Sequence, residues 1–429
     1  MKTLMATVDL WLKDVLLDGK TVQVTVRGNR FASVGDAPPP EGARRIIDGH
    51  GRTAILPPFY NMHTHSAMTL LRGYADDMEL FTWLSQHIWP LEAKLTEADI
   101  RLGNRLAAIE MIHSGTVFCN DSYWQPATMV DAAEEFGMRA AAGMLAICGA
   151  DGEVLPAARE GNEKLRERAR SASHRIEVTF SPHAIYTVPE KQLTKIAEEA
   201  RRDNLRVHIH VAETAKEVAD CRAEHGGLSP VEYLDRLGLV NERSIFAHCV
   251  HLSDRDIAIL AERRAVISHQ PVSNMKLVSG MFRFKAAKDA GCRITIGTDG
   301  CASNNHLSMY DEMKVAALSA KMQAQDPTAG SAAEIWDCAT RQGADAACGA
   351  GEAGVIAPGR LADAQLVEID RPEWVADYHW VSNLVYAAHP DAVTAVICDG
   401  RVLMDEHRIP GEEAVIAEAR ELCRELATR

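Results

Sequence analysis

The sequence is short of features that would place it in several large protein classes. It has no HExxH, no H-x-E and no P-C-x-x-C element, which sets aside the zincin proteases and the cytidine-deaminase architecture. None of its ten cysteines forms a CxxC pair, so a zinc ribbon and a redox dithiol are excluded, and buried thiols in a reducing compartment are the better reading. There is no basic block, and 46 Lys and Arg against 60 Asp and Glu give a formal net charge of -14. Such a surface repels nucleic acid and acidic lipid. Neither polymeric nucleic acid nor a membrane is expected as a partner, while a small nucleoside stays possible. The longest apolar stretch, Ala140 to Ala150, is too short to span a bilayer. Asp9, Lys13 and Asp14 break up the apolar residues behind Lys2 and defeat a secretory leader. A cytoplasmic protein is expected.

What is present points to an ordinary globular enzyme. The chain has 429 residues, 47% hydrophobic and 25% charged, enough for one large domain and a smaller one. Val22, Val24 and Val26 alternate with polar neighbours before a Gly28-Asn29 turn and a strand from Arg30 to Val34; Pro38-Pro39-Pro40 is a loop. Ala364–Ile369 and Val393–Cys398 are again strand-like, Asp399-Gly400 is a two-residue hairpin signal, and Glu412–Thr428 is an amphipathic helix. The two β-rich ends, 1–56 and 358–429, are expected to build one small β-sandwich domain together.

The middle, 57–357, alternates short apolar strands with capped helices. Thr96-x-x-Asp99, Thr187-x-x-Glu190 and Ser253-x-x-Asp256 are capping boxes. Eight strands are expected: Ala54–Tyr60, Thr116–Cys119, Arg139–Gly143, Glu177–Phe180, Arg206–His210, Ser244–Ala247, Ala265–Ser268 and Arg293–Thr298. Eight parallel strands with helices between them over about 300 residues predict an α/β fold of the (β/α)8 TIM-barrel type. A doubly wound open sheet is the alternative, and no P-loop supports it.

The chemistry lies in where the histidines fall. His63 and His65 follow the first strand, His183 the fourth, His210 ends the fifth, His248 and His269 follow the sixth and seventh, and Asp299 follows the eighth. All strand C-termini of such a barrel open on one face, so these residues converge. Side chains two apart on an extended strand project the same way, and His63-Thr64-His65 can therefore hold one ion from one side. With His210 and Asp299 opposite, three imidazoles and a carboxylate suit a borderline divalent ion such as Zn²⁺, with a position left for water. One such ion per subunit is expected, Fe²⁺ and Mn²⁺ being alternatives. His208 reads as a packed barrel-interior histidine, and His251 and His269 as structural or supporting ones.

The stretches "HTHSAMTLLRGYADD", "HIHVAET", "AHCVHL", "SHQPVSNMKL" and "GTDGCASNN" resemble the amidohydrolase superfamily, and within it the methylthioadenosine/S-adenosylhomocysteine and 5'-deoxyadenosine deaminases. The resemblance implies a mononuclear centre on His63, His65, His210 and Asp299, without a carbamylated lysine. It further implies that Asp299 takes a proton from water, that Glu213 protonates a ring nitrogen and that His248 orients the water. Glu213 has a plainer reading as a carboxylate at a helix N-terminus. "WLSQHIWPLEAKL" is similar to the element supplying a ribose-binding glutamate, which falls on Glu92. His183 matches a histidine contacting base or sugar, and Ser303 a residue near the base. Trp83 is read either as a purine-stacking wall or as helix packing. The resemblance also allows a homo-oligomer.

One departure bears on the substrate. Members handling charged homocysteine tails carry arginines after the third strand; here Met144 stands at that place, and Arg159 is only a loose match. The expected reaction is hydrolytic deamination of methylthioadenosine, S-adenosylhomocysteine, 5'-deoxyadenosine or adenosine. The alternative is another heterocycle hydrolase of the superfamily, acting on a triazine, guanine or a pterin.

Overall fold

A computed structural model describes residues 7–36 and 38–426. The N-terminal strands are β1 (Val8–Leu17), β2 (Lys20–Arg27), β3 (Arg30–Gly35), β4 (Ala43–Asp48) and β5 (Thr53–Leu56). Eight further strands follow, each trailed by helix: β6 (Phe59–Thr64), β7 (Thr116–Asp121), β8 (Arg139–Ala146), β9 (Ile176–Pro182), β10 (Val207–Val211), β11 (Ser244–His248), β12 (Val266–His269) and β13 (Arg293–Ile296). The helices directly after the last two strands are short: Pro271–Lys276 after β12 and Cys301–Asn304 after β13. The chain ends with β14 (Ala364–Glu368), β15 (Val393–Cys398), β16 (Arg401–Met404) and the helix Glu412–Leu426; the expected end of that helix, Thr428, lies outside the described residues.

β6 to β13 pair in sequence order, all parallel, into a nearly closed barrel. At the seam the amide of Asp299 donates to the carbonyl of His63 (3.0 Å), and Asn61 Nδ2 donates to Thr298 Oγ1 (2.8 Å). Closure thus brings the first and last strand ends together. Gly297 is required there, because a Cβ would stand 2.6 Å from the His63 amide nitrogen.

The two chain ends share a second sheet, ordered β16-β15-β14-β5-β1-β2-β3, with β4 branching from β1. A bulge between Leu12 and Val15 divides β1, so that β4 pairs with its first half and β5 with its second. Leu10, Leu12, Val24, Phe31, Ile55, Leu366 and Ile397 form its own apolar core. The Gly28-Asn29 and Asp399-Gly400 turns connect β2 to β3 and β15 to β16 as expected; Gly28 (φ 59°), Asp399 (φ 53°) and Gly400 (φ 75°) adopt the left-handed conformation such tight hairpins use.

Two local expectations are corrected. The strand expected at Ala54–Tyr60 is two strands in two sheets, since Pro57-Pro58 lack the amide donors a ladder needs. His63 consequently lies inside β6. The capping boxes at Thr96 and Ser253 form, but the helix expected to start at Thr187 starts at Glu190 with Pro189 as its cap. Thr187 Oγ1 instead lies 2.9 Å from His183 Nδ1. The run Gly349–Gly354 has the spacing GxGxxG but follows the helix Arg341–Cys348 and not a strand, so it is no dinucleotide motif. Among the described residues, no helix is long and apolar enough to cross a membrane.

Candidate metal centre and pocket

The expected residues meet at the barrel mouth. Asp299 Oδ1 lies 3.3 Å from both His63 Nε2 and His65 Nε2, and His210 Nε2 lies 3.3 Å from His65 Nε2. The donor atoms of His63, His65 and Asp299 fall within 4.8 Å of one another, as do those of His63, His210 and His248. The outer ring nitrogens are engaged: His65 Nδ1 donates to Ser122 O (2.5 Å), His210 Nδ1 to His183 O (2.6 Å), and His63 Nδ1 is 2.8 Å from His208 Nε2. Such outer partners fix the ring orientation and aim Nε2 inward. His208, expected as an interior histidine, supports His63 in this way.

This donor set fits a divalent ion on its own chemistry. His63 Nε2 is fully buried with no hydrogen-bond partner, a state a native interior rarely leaves without a ligand. Burial drives His63 down to about 4 and His183 to about 3, and lowers His210 and His208, the last two helped by neighbouring imidazoles. Burial alone would raise Asp299, but the close approach and charge of His63, then the charges of His65 and His248, outweigh it and hold the carboxyl well below its usual value. Neutral imidazoles and an ionised carboxylate are the forms that ligate metal.

Glu213 and His248 stand beside this cluster, 3.8 Å apart between Oε2 and Nε2. Burial raises the Glu213 carboxyl, which therefore keeps a proton more readily than an exposed glutamate. His248 is raised overall because Glu213 and Asp299 outweigh its burial, and its Nδ1 lies 2.8 Å from Asn274 Oδ1. Ser273 Oγ donates to Asp299 Oδ2 (2.7 Å) and lies 3.0 Å from Ser303 Oγ. The backbone around these groups is strained: Ala212 (φ 50°), His248 (φ 73°) and Asp299 (φ 64°) are left-handed without being glycine. Such strain clusters at functional sites.

Above them opens a cleft of about 710 Å³. Every expected site residue except His63, which is buried beneath, lines it: His65, His210, Glu213, His248 and Asp299 on the floor, with Glu92, His183, Trp83 and Ser303 around them. Trp83 lines the cleft, and its Nε1 donates to Ala75 O (2.9 Å) and ties down the segment. Glu92 is half-buried and its carboxyl raised by burial, with Tyr123, His65 and Trp124 opposing that shift. Arg159 and Met144 line a different cleft, and among the described residues no lysine or arginine lines this one.

Sequence reasoning missed Tyr123 and Trp124 beyond β7, Leu145 and Ile147 at the end of β8, and Tyr186 beyond β9, all of which line the cleft. The barrel-end rule that selected the histidines would have found them, had it been applied to apolar and aromatic residues. His251 and His269 keep supporting places: His251 Nε2 donates to Ser279 O (2.6 Å), and His269 packs on Phe282 with ring centres 4.8 Å apart.

Comparison with known proteins agrees with this geometry. The model of the amidohydrolase family matches residues 54–403. A 5'-deoxyadenosine deaminase of Methanospirillum hungatei is 42% identical, over 90% of this chain and 85% of its own. A 5-methylthioadenosine/S-adenosylhomocysteine deaminase of Pelotomaculum thermopropionicum is 40% identical, over 97% of this chain and 100% of its own. The crystal structure of an adenosine deaminase from Xanthomonas campestris with bound zinc superposes with a TM-score of 0.90 at 33% identity, covering 99% of both chains.

Proposed function

We propose a function from the premise that this chain belongs to the amidohydrolase family: it is a metal-dependent hydrolase that deaminates an adenine nucleoside. Water and the nucleoside give the inosine analogue and ammonia. The observation that carries the reading is the convergence of His65, His210, Asp299, Glu213 and His248 with Glu92 and His183 on one cleft. Glu92 and His183 favour a nucleoside over a free base or a triazine, because a carboxylate at the wall offers acceptors to two ribose hydroxyls.

His63, His65, His210 and Asp299 would hold the ion, and the borderline donor set favours Zn²⁺ over Fe²⁺ or Mn²⁺. Such an ion supplies Lewis acidity that makes a hydroxide nucleophile available near neutral pH. Asp299 accepts the proton of the attacking water. His248, its tautomer set by Asn274, orients that water from the side. Glu213 donates its proton to the ring nitrogen next to the carbon bearing the amino group, so that this carbon accepts the oxygen. The carbon–nitrogen bond then breaks, the amino group departs as ammonia with the proton first taken by Asp299, and the proton left on the added oxygen passes to Glu213 as the carbonyl of the inosine analogue forms.

Leu80, Leu84, Ile88, Leu145 and Ile147 give the cleft apolar walls, and with no lysine or arginine among the described residues lining it they favour a small uncharged 5'-substituent over a homocysteine tail. We assign residues 57–357 to the hydrolase domain and 1–56 with 358–429 to the β-sandwich domain. The free state of all ten cysteines fits a cytoplasmic setting. The test is ammonia release by the metal-loaded protein from methylthioadenosine, 5'-deoxyadenosine, adenosine, S-adenosylhomocysteine, guanine and a chlorotriazine. Release from the first three with an adenine-to-hypoxanthine spectral shift is expected. Release from guanine or the triazine alone would overturn the reading.

A further inference from the structure

Glu213 sits at the end of a closed chain of hydrogen bonds that reaches it from two sides. On one side is Glu217, in the first turn of the helix Ala215–Glu224 and 4% exposed. A glutamate in that position ordinarily faces solvent or bonds the cap amide of its own helix. Glu217 instead reaches back: Oε1 accepts the amide of Ala212 and Oε2 the amide of Glu213, each at 2.8 Å. Its own amide donates to the cap hydroxyl of Thr214 (3.1 Å), which fixes the helix turn carrying it. On the other side, the carbonyl of Ala212 accepts the His251 amide (2.9 Å), His251 Nε2 donates to the carbonyl of Ser279 (2.6 Å), and Ser279 Oγ donates to Glu213 Oε1 (3.2 Å). The approach of the Ser279 loop to His251 needs the neighbouring Gly280 (φ 136°), where a Cβ would stand 2.8 Å from Val250 and 3.1 Å from His251.

The circuit encloses a left-handed alanine. Ala212 at φ 50° costs conformational energy that no glycine relieves, and relaxing it would rotate the peptide that carries Glu213. A carboxylate is the one side-chain group that accepts two adjacent amide donors without presenting a donor of its own. Neither Glu217, His251 nor Ser279 lines the cleft, so none of them contacts a substrate held there. We propose that Glu217, with His251 and Ser279 completing the ring, is a positioning residue that holds Glu213 at the angle from which it protonates the substrate ring. The proposal rests on the proton-donor role assigned to Glu213 above.

A double-mutant cycle tests it on the full-length, metal-loaded protein with methylthioadenosine as substrate. E217Q keeps the shape but turns an amide donor towards one of the two backbone amides. It is expected to lower kcat about tenfold or more with KM within about twofold and full metal content, in protein that still unfolds cooperatively at a somewhat lower midpoint. In an E213Q background, whose residual rate is read in single turnovers with enzyme in excess, adding E217Q is expected to change the rate less than about twofold. S279A removes the second arm and supplies the same cycle should E217Q fail to fold. Multiplying effects in the E213Q background, or E217Q turnover within about twofold of the parent, would overturn the proposal. An E213Q protein as active as the parent would instead overturn the proton-donor assignment, and a parent silent on every adenosine would overturn the proposed function itself.

Discussion

The molecule buries two polar clusters at opposite ends of one barrel, and they are built in opposite ways. At the N-terminal end of the strands, Arg139 binds Asp363 through Nε (2.9 Å) and Nη2 (3.1 Å) and Asp399 through Nη2 (2.9 Å). Tyr60 OH donates to Asp363 (2.9 Å), and the Asp399 amide to the same carboxylate (2.6 Å). Asn29 Nδ2 shares Asp399 Oδ1 with Arg139, and His174 Nε2 lies 2.9 Å from Asp399 Oδ2. Arg139, Asp363 and Asp399 have no fully buried side-chain nitrogen or oxygen without a partner, and the cluster joins β6 and β8 of the barrel to the turns around β14 and β15. At the mouth, His63 Nε2, His208 Nδ1, His269 Nδ1 and Asn274 Nδ2 are buried and unpartnered. A satisfied network rigidifies a fold, whereas unmatched donors held in place by strain are arranged for something the chain itself does not supply. The two ends divide as barrel folds generally do, stability at the bottom and chemistry at the top.

The sharpest way to break this comparison is at Asp299. In Asp299→Asn the one remaining oxygen can accept from the Gly300 amide and the Ser273 hydroxyl can turn to accept from the new amide group, but the charge shared by His63 and His65 is removed. Turnover is expected to fall by about 10²–10⁴-fold or more, with the protein still unfolding cooperatively at a midpoint no higher than the parent's, because the imidazoles favour the ionised carboxylate. Chelation should silence the parent protein in the same way, and added Zn²⁺ should restore it. An active Asp299→Asn variant would remove this residue from both ligation and proton transfer.

The opposite result is expected at the other end. Arg139→Met leaves Asp363 and Asp399 buried without their cation, a loss of about 3–5 kcal/mol. It should appear as an earlier unfolding transition in urea, while KM and kcat of the folded fraction stay within about twofold. A fall in kcat without a fall in stability would show that the two clusters are coupled.

How far each cluster could be read from sequence follows from the same contrast. The mouth was legible because its residues carry unusual chemistry at a repeated place, the strand ends. His63, His65, His210, His248 and Asp299 announce themselves wherever the strands are drawn, even though the first strand was drawn across Pro57-Pro58 and the Thr187 cap was misplaced by two residues. Tyr123, Trp124, Leu145 and Ile147 were invisible, because an apolar residue at a strand end looks like any core residue until the cleft is seen. The bottom cluster was not legible at all. Asp399 read only as a hairpin turn, and its cation lies 260 residues away at the start of β8, a pairing that local pattern cannot supply.

Glu92 lies between the two kinds of group, a half-buried carboxyl that no lysine or arginine pairs with among the described residues. If it accepts ribose hydroxyls, Glu92→Gln removes charged hydrogen bonds amounting to about 1.5–3 kcal/mol. KM for methylthioadenosine should then rise about tenfold to a hundredfold, and KM for free adenine should hardly move. Equal effects on both would return Glu92 to a wall-packing role.

The smallest expected effect separates the clusters by acid. In metal-stripped protein, His63 and His183 titrate near 4 and 3 in the folded state against 6.5 unfolded. Between those values the unfolded chain binds more protons, so stability at the mouth declines as pH falls from about 6.5 towards 4. The bottom cluster moves in a lower window: burial would raise Asp399, but Arg139, His174 and Asn29 more than offset it and hold the carboxyl below 3.8. Its contribution is intact above 3.8 and is lost only as pH falls through that lowered value. Hydrogen exchange read by mass spectrometry between pH 6.5 and 4.5, corrected for intrinsic rates, should therefore show peptides containing His63 and His183 losing protection while those containing Arg139 and Asp399 keep it. Loss at the bottom first would mean that the paired network, and not the unmatched donors, is the acid-sensitive part of the molecule.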